Sequence, residues 1–231
     1  MKIILTGSTG YVGSKVLEQC LLHHEVSSII ALSRRDLNIA DPKLRVIIVH
    51  DFAQYSPEVL SEIDGADACI YCLGTNVPVR PPELNRTINF DYAIGTAKIF
   101  AAAFMENKSR GKFNFVYLSG ALPEKDQNKT LWFLADNRRM RGQLENALLQ
   151  LGQETKNSGF EVYIARPGFV QPEGAVLLNW IVGKLSNAIM LHHLAACLLQ
   201  LAIDGHSDPI AENNILNAMG KLVIDGQGTS G

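Results

Sequence analysis

Aromatic residues are scarce in this 231-residue chain, at 7%, and only 19% of its residues are charged. Two tryptophans and six tyrosines give little material for a platform on which nucleic-acid bases could stack. Neither sign of charge dominates. Lys and Arg number 21 against 23 Asp and Glu, so the formal net charge of −2 offers no pull toward nucleic acid or an anionic membrane. Long apolar runs are missing as well. The stretch 175–189 is broken by Asn179, Gly183, Lys184 and Asn187, short of the roughly 20 residues a spanning helix needs. Met1 to Leu5 run straight into Thr6-Gly7, so no signal-peptide core develops, and a cytoplasmic location is expected. Four cysteines (Cys20, Cys69, Cys72, Cys197) suit a reducing compartment better than a disulfide scaffold. Cys69 and Cys72 have CxxC spacing, but within the apolar run 66–73 they read as strand positions facing opposite ways. Adjacent His192 and His193 point roughly 100° apart on a helix, and no His/Asp/Glu cluster has ligand spacing, so no metal is expected.

What is present is ordinary globular material. Apolar residues make up 47% of the chain, and its length supports one large domain with a substantial core. Short apolar runs alternate with helical periodicity: strands at 2–5, 28–33, 44–50, 66–73, 112–118 and 160–165, and helices at 11–23, 84–105 and 131–153. Only residues 34–43, with Pro42 among them, separate the second and third strands, which leaves no room for a long crossover helix. Near-continuous Val/Ile strands between helices predict an α/β fold, a Rossmann-type doubly wound and mainly parallel sheet. Residues from about 170 to 231 show one further helical segment at 191–203. They are expected as a small substrate-side cap on the same single domain, ending in a loose tail from Asp225.

The strongest local signal is Thr6-Gly7-Ser8-Thr9-Gly10-Tyr11-Val12-Gly13, between the first strand and the first helix. Glycines at this spacing serve a tight turn, a close backbone approach to pyrophosphate and a helix packed on a strand. The helix-start amides and dipole then favour the phosphates. At the end of the second strand, Ser33-Arg34-Arg35 stands where an NAD site usually carries a carboxylate for the ribose 2′-hydroxyl. A guanidinium pairs with a 2′-phosphate, so NADP(H) is the expected cofactor, with Arg34 its main 2′-phosphate contact. Asp36 suits a loop cap.

In this order, TGSTGYVG near residue 6, SRR at 33, HDF at 50, YCLGT at 71, NFDYA at 89 and ARPG at 165 resemble the atypical short-chain dehydrogenase/reductase superfamily. The short link between strands two and three resembles its NmrA-like and Tat-interacting-protein-like branch, fungal members in particular. The resemblance covers roughly residues 1–170. It implies that Asp51 and Phe52 flank the adenine, that Leu73, Gly74 and Thr75 line the ribose–nicotinamide half, and that Pro167 and Gly168 border the nicotinamide. Reductases of the superfamily carry Tyr-x-x-x-Lys on the helix after strand five and a serine at that strand's end. Arg141 takes the lysine position here and Asn137 the tyrosine position. An asparagine amide orients an oxyanion but is no matched proton donor. The usual serine falls on Leu118, and Ser119 lies one place later. Tyr117 either points toward the site or packs in the sheet. Tyr11 to Lys15, the only literal Tyr-x-x-x-Lys, is misplaced for catalysis.

Three functions remain open. An NADPH-dependent enzyme would act on a small, apolar carbonyl or enone, its proton coming from Tyr117, Ser119 or water while Arg141 grips the ribose. A non-redox isomerase or cyclase would keep the dinucleotide as structure, and a silent regulator would sense NADP(H) and bind a protein. The expected partner is a small-molecule substrate, with no nucleic acid and no membrane; a homodimer is left open. Trp132, Phe133 and Trp180 are expected as cap and pocket walls, and Arg138 and Arg139 as solvated surface.

Overall fold

The computed structural model describes residues 1–106, 111–120, 122–172 and 187–228. Seven strands form one sheet: β1 (Lys2–Thr6), β2 (Ser28–Ser33), β3 (Leu44–Ile48), β4 (Ala68–Tyr71), β5 (Phe113–Leu118), β6 (Phe160–Arg166) and, after a two-stranded ribbon of β7 (Phe169–Gln171) and β8 (Ala188–Met190), β9 (Ile210–Glu212). The spatial order is β3-β2-β1-β4-β5-β6-β9, and every pairing is parallel. The helices are α1 (Tyr11–Leu22), α2 (Pro57–Ile63), α3 (Pro82–Arg86), α4 (Tyr92–Glu106), α5 (Ala135–Thr155), α6 (Leu191–Asp204) and α7 (Asn213–Gly228). This is the doubly wound Rossmann-type architecture that the alternation of runs predicts.

Strand alternation builds two cores. Ile4, Ile30, Tyr71, Phe115 and Ile164 face the layer of α4 and α5, with Phe100, Leu144 and Leu148. Ile3, Leu5, Ile29, Ile70 and Val116 face the other way, onto Val16 and Leu17 of α1 and Leu194, Leu198 and Leu201 of α6. Each fully buried Ile, Leu or Phe contributes about 1.5–3 kcal/mol of transfer free energy. Cys69 sits in the first core and Cys72 packs against the second, on opposite faces as strand geometry requires. Chain order runs outward from β1 in one direction and from β4 in the other. The crevice beyond the C-terminal ends of β1 and β4 is therefore the topological switch point, where ligands of open α/β sheets bind.

Three expectations need correction, and one helix was not expected. The segment after residue 187 is not a cap: α6 lies against α1 and within the second core, and β9 extends the sheet beside β6. The expected loose tail is helical as far as Gly228. It is held because Gly220, lacking a side chain, lets α7 approach the backbone of His193 on α6. The single helix expected at 84–105 is three pieces, α3, a π turn at Thr87–Asp91 and α4, because Asn89 is drawn into the hydrogen bonds described below. Helix α2 lacked an apolar stripe, burying only Ile63. Pro57 at its first position and the Ser56 hydroxyl, which accepts from Val59 N at 3.4 Å, start it. The apolar stretch that suggested a substrate cap, Trp180 included, lies mostly outside the described residues.

Candidate functional site

Between β1 and α1 the chain turns back on itself. Gly7 adopts φ +72°, and a Cβ there would stand 2.5 Å from the carbonyl carbon and oxygen of Cys72 on the neighbouring strand's end. A Cβ on Gly13 would come within 2.7 Å of the Gly7 carbonyl carbon and nearer still to its oxygen. The loop is thus pressed against β4 at one end and against the first turn of α1 at the other. Gly10 N donates to the Gly7 carbonyl at 2.9 Å, and Ser14 N donates to the Gly10 carbonyl at 3.0 Å. The hydroxyl of Ser8 is buried and has no hydrogen-bond partner among the described residues.

This loop divides two clefts. The first, about 380 Å³, is lined by Gly7, Thr9, Ser33, Arg34, Arg35, Phe52 and Leu73. Here the end of β2 turns two exposed guanidinium groups to the rim, and Ser33 accepts a hydrogen bond from Arg35 N at 3.3 Å. The second, about 120 Å³, brings together Gly10, Tyr11, Val12, Gly13, Leu73, Gly74, Thr75, Tyr117, Ser119 and Arg141. Residues spread over 130 positions of sequence therefore converge at the switch point. A larger cavity of about 580 Å³ lies at the opposite ends of β5 and β6, lined by Lys112, Lys156, Tyr163 and His206, and holds none of the candidate residues.

The back wall of the second cleft is the end of β5 and the start of α5. Burial pushes the Tyr117 phenol well above the usual tyrosine range, the Arg141 charge pulling it down and Glu145 pushing it further up. Tyr117 therefore stays protonated. Its ring packs in the sheet against Tyr71, with centroids 6.1 Å apart, at the margin of the cleft. Arg141 reaches across to donate to the Thr75 carbonyl at 3.2 Å, through space that a Cβ on Gly120 would take. Ser119 donates to Glu145 at 2.6 Å. Glu145 is fully buried, and Arg166 grips both of its oxygens while holding Glu212 at 2.6 Å.

Beside the cleft runs a chain of amides. Asn89 accepts from Thr75 N at 2.7 Å and donates to the Thr75 hydroxyl at 2.9 Å, to the Asn85 carbonyl at 3.1 Å and to Asn85 Oδ1 at 2.9 Å. The Asn85 amide in turn lies 3.5 Å from Asn137 Oδ1. Asn89 lines the cleft; Asn137 is buried behind it and does not. A π turn at a site residue is a recurrent device for aiming one side chain out of helical register.

Several expected site residues lie elsewhere. Asp51 lines neither cleft and accepts from Ala53 N at 2.9 Å, so it caps its own turn. Pro167 and Gly168 also line neither; Gly168 N donates to Asn213 at 2.6 Å and packs under the Asn187 carbonyl. Trp132 and Phe133 are no pocket walls, being 99% and 66% exposed, because the turn before α5 throws them outward at a left-handed Leu134. Arg138 and Arg139 do more than meet solvent: they donate to the carbonyls of Leu122 and Lys129, bracing the preceding loop. Asp36 caps its loop as expected, accepting from Leu37 N and Asn38 N. Asn89, Glu145 and Arg166 went unread. Glu145 left one trace, a charged residue on the helix face shared by Leu144 and Leu148. Among the described residues no group of three or more His, Cys, Asp or Glu could hold a metal, and no helix is long and apolar enough to cross a membrane.

No family model matches the chain. A curated relative, "Leucinostatins biosynthesis cluster protein T" of Purpureocillium lilacinum, is 36% identical over 121 residues, which is 52% of this chain. The chain matches only 42% of that relative's length. Among solved structures, a short chain dehydrogenase from Burkholderia cenocepacia in complex with NADP superposes with a TM-score of 0.69 at 16% identity. The match covers 99% of this chain and 93% of that one. The oxidoreductase ylbE from Lactococcus lactis gives a TM-score of 0.64 at 19% identity, covering 97% of each chain. The chain shares the fold of these proteins.

Proposed function

We propose that this chain is an NADP(H)-binding reductase of the short-chain dehydrogenase/reductase type, close to the NmrA-like branch, acting on a small apolar carbonyl or enone. The observation that carries this reading is the glycine loop. It is closed so tightly on β4 and α1 that no side chain fits at Gly7 or Gly13, and it opens onto both clefts at the switch point. Loop amides and the start of α1 suit the pyrophosphate. Ser33, Arg34 and Arg35 suit a 2′-phosphate, and Leu73, Gly74, Thr75 and Arg141 the ribose–nicotinamide half. The NADP in the Burkholderia cenocepacia neighbour supports the same assignment. When bound, the reduced dinucleotide supplies a hydride.

The chain's own residues supply the rest. Tyr117, kept neutral by burial, lines the cleft as a hydrogen-bond donor for a carbonyl oxygen, and its raised pKa leaves the transferred proton to water. Arg141 holds a fixed positive charge beside it and cannot relay a proton as a lysine does. Asn137 stands behind the amide chain and orients Asn85 rather than substrate. The relative's name supports a place in small-molecule biosynthesis, in which a reductase of this kind modifies a carbonyl. The test is calorimetric titration with NADPH and NADH, followed by stopped-flow NADPH oxidation with a panel of ketones and enones. Tighter NADPH binding and oxidation by some of the panel are expected. Absence of nucleotide binding overturns the reading, and substrate conversion without hydride consumption moves it to an isomerase or cyclase.

A further inference from the structure

We infer that Glu145 fixes Ser119 as a hydrogen-bond acceptor toward the cleft, so that the site selects substrates bearing a hydroxyl or N–H donor beside their carbonyl. This replaces the apolar substrate of the functional reading above with one that carries a polar donor, and rests on that reading for the location of the substrate. A serine hydroxyl owns a single proton. That of Ser119 is given to Glu145 Oε1 at 2.6 Å. Glu145 is completely buried and has no solvent alternative, and Arg166 binds both of its oxygens, holding the carboxylate in place as an acceptor. Arg166 is itself restrained by Glu212 at 2.6 Å. Any ligand that approaches Ser119 Oγ therefore meets lone pairs. Donation to a carboxylate also polarises the hydroxyl and strengthens it as an acceptor.

The neighbours have the opposite character. Tyr117, two residues earlier on the same strand end, stays protonated, and the Arg141 guanidinium has only donors. At the end of β5 the 120 Å³ cleft thus sets a donor for a carbonyl oxygen beside a serine committed as acceptor. A lone ketone satisfies the first and leaves the second unpaired. A hydroxy ketone satisfies both.

The experiment measures binding rather than turnover. Hydroxyacetone and methoxyacetone, which differ in the single donor, are titrated by NMR into the full chain with and without NADP+. Tighter binding of hydroxyacetone, by about fivefold to tenfold, is expected of one neutral hydrogen bond. Ser119→Ala should bring the two affinities together. Glu145→Gln is the sharper variant: its amide oxygen faces Arg166, its NH2 donates to Ser119, and the serine proton turns to the cleft. The preference should then invert in favour of methoxyacetone, a change that mere loosening of α5 does not produce. Equal affinities in the native chain, binding of neither probe, or a preference that survives Ser119→Ala would overturn the inference. A parallel NADPH titration separates these outcomes from failure of the nucleotide-binding reading.

Discussion

Gly13→Ala puts two physical effects in direct opposition. Gly13 is the third residue of α1, and its φ is not in the left-handed region. By helix propensity alone, alanine there should stabilise the chain by about 0.8–1.0 kcal/mol. The structure predicts the reverse. The new methyl would stand 2.7 Å from the Gly7 carbonyl carbon, closer to its oxygen, and 3.2 Å from Ser8 N. All are backbone atoms, which cannot swing aside. Gly7 is in turn held against Cys72, so the loop has no direction in which to retreat. Overpacking of this kind costs about 1–3 kcal/mol and at times more, enough to outweigh the propensity gain. For a domain of this size 1 kcal/mol moves Tm by about 2–4 °C, so a fall of several degrees is expected. Nucleotide affinity should fall with it, since the displaced atoms are the cradle itself. Gly10→Ala is the control: its Cβ meets only the Gly7 oxygen, at 3.2 Å, which a shift of a few tenths of an ångström relieves. Thermal unfolding and NADPH titration of both variants are the assay. A Gly13→Ala protein with unchanged or raised Tm would refute the reasoning, as would a Gly10→Ala protein with an equal fall in Tm.

Arg34→Asp should erase or invert the preference for NADPH over NADH in calorimetry, because it puts a negative charge at the rim of the first cleft in place of the guanidinium proposed to pair with the 2′-phosphate. Arg141→Ala should weaken NADPH binding, since Arg141 lines the second cleft, while Asn137→Ala leaves affinity near native. Its turnover should change far less than the roughly 10²–10⁴-fold of a lost general acid, measured by stopped flow. Burial raises the Cys20 thiol from 9.0 to about 12, with Lys43 opposing. The unfolded thiol ionises above pH 9 and the native one keeps its proton, so stability is lost as pH rises from 9 toward 12. Urea unfolding of Cys20→Ala should show a flatter alkaline limb than the native chain.

Local chemistry was legible and long-range geometry was not. Strand β2 has the bounds its Val/Ile-type run predicts, and the glycine loop and Ser33-Arg34-Arg35 were readable because each is contiguous. Strand β9 was not, for three residues at a sheet edge carry no period. Helix α7 was missed because Gly220 counts against a helix locally, whereas contact with His193 demands a glycine. The aromatic pair Trp132 and Phe133 misled through composition, since their direction is set by Leu134 in a left-handed turn.

The pair Arg141 and Glu145 shows what the sequence could not decide. Four residues apart on one helix, they have the spacing of a surface ion pair, worth about 0.3–0.5 kcal/mol. Paired, they would leave the cleft with no directed cation. The fold separates them instead. Arg166, at the end of β6, takes Glu145 through two nitrogens in a buried setting, an arrangement much stronger than a flexible surface pair once both charges are already enclosed. Arg141 is then drawn toward the Thr75 carbonyl and the cleft. One distant arginine thus holds the Glu145 carboxylate in place beneath Ser119 and leaves Arg141 free to reach the cleft. Arg166→Leu strips a buried carboxylate of its cation, a loss of about 3–5 kcal/mol, and should draw Arg141 onto Glu145 and so weaken NADPH binding. Unchanged NADPH affinity in the folded variant would show that Arg141 is held toward the cleft without help from Arg166.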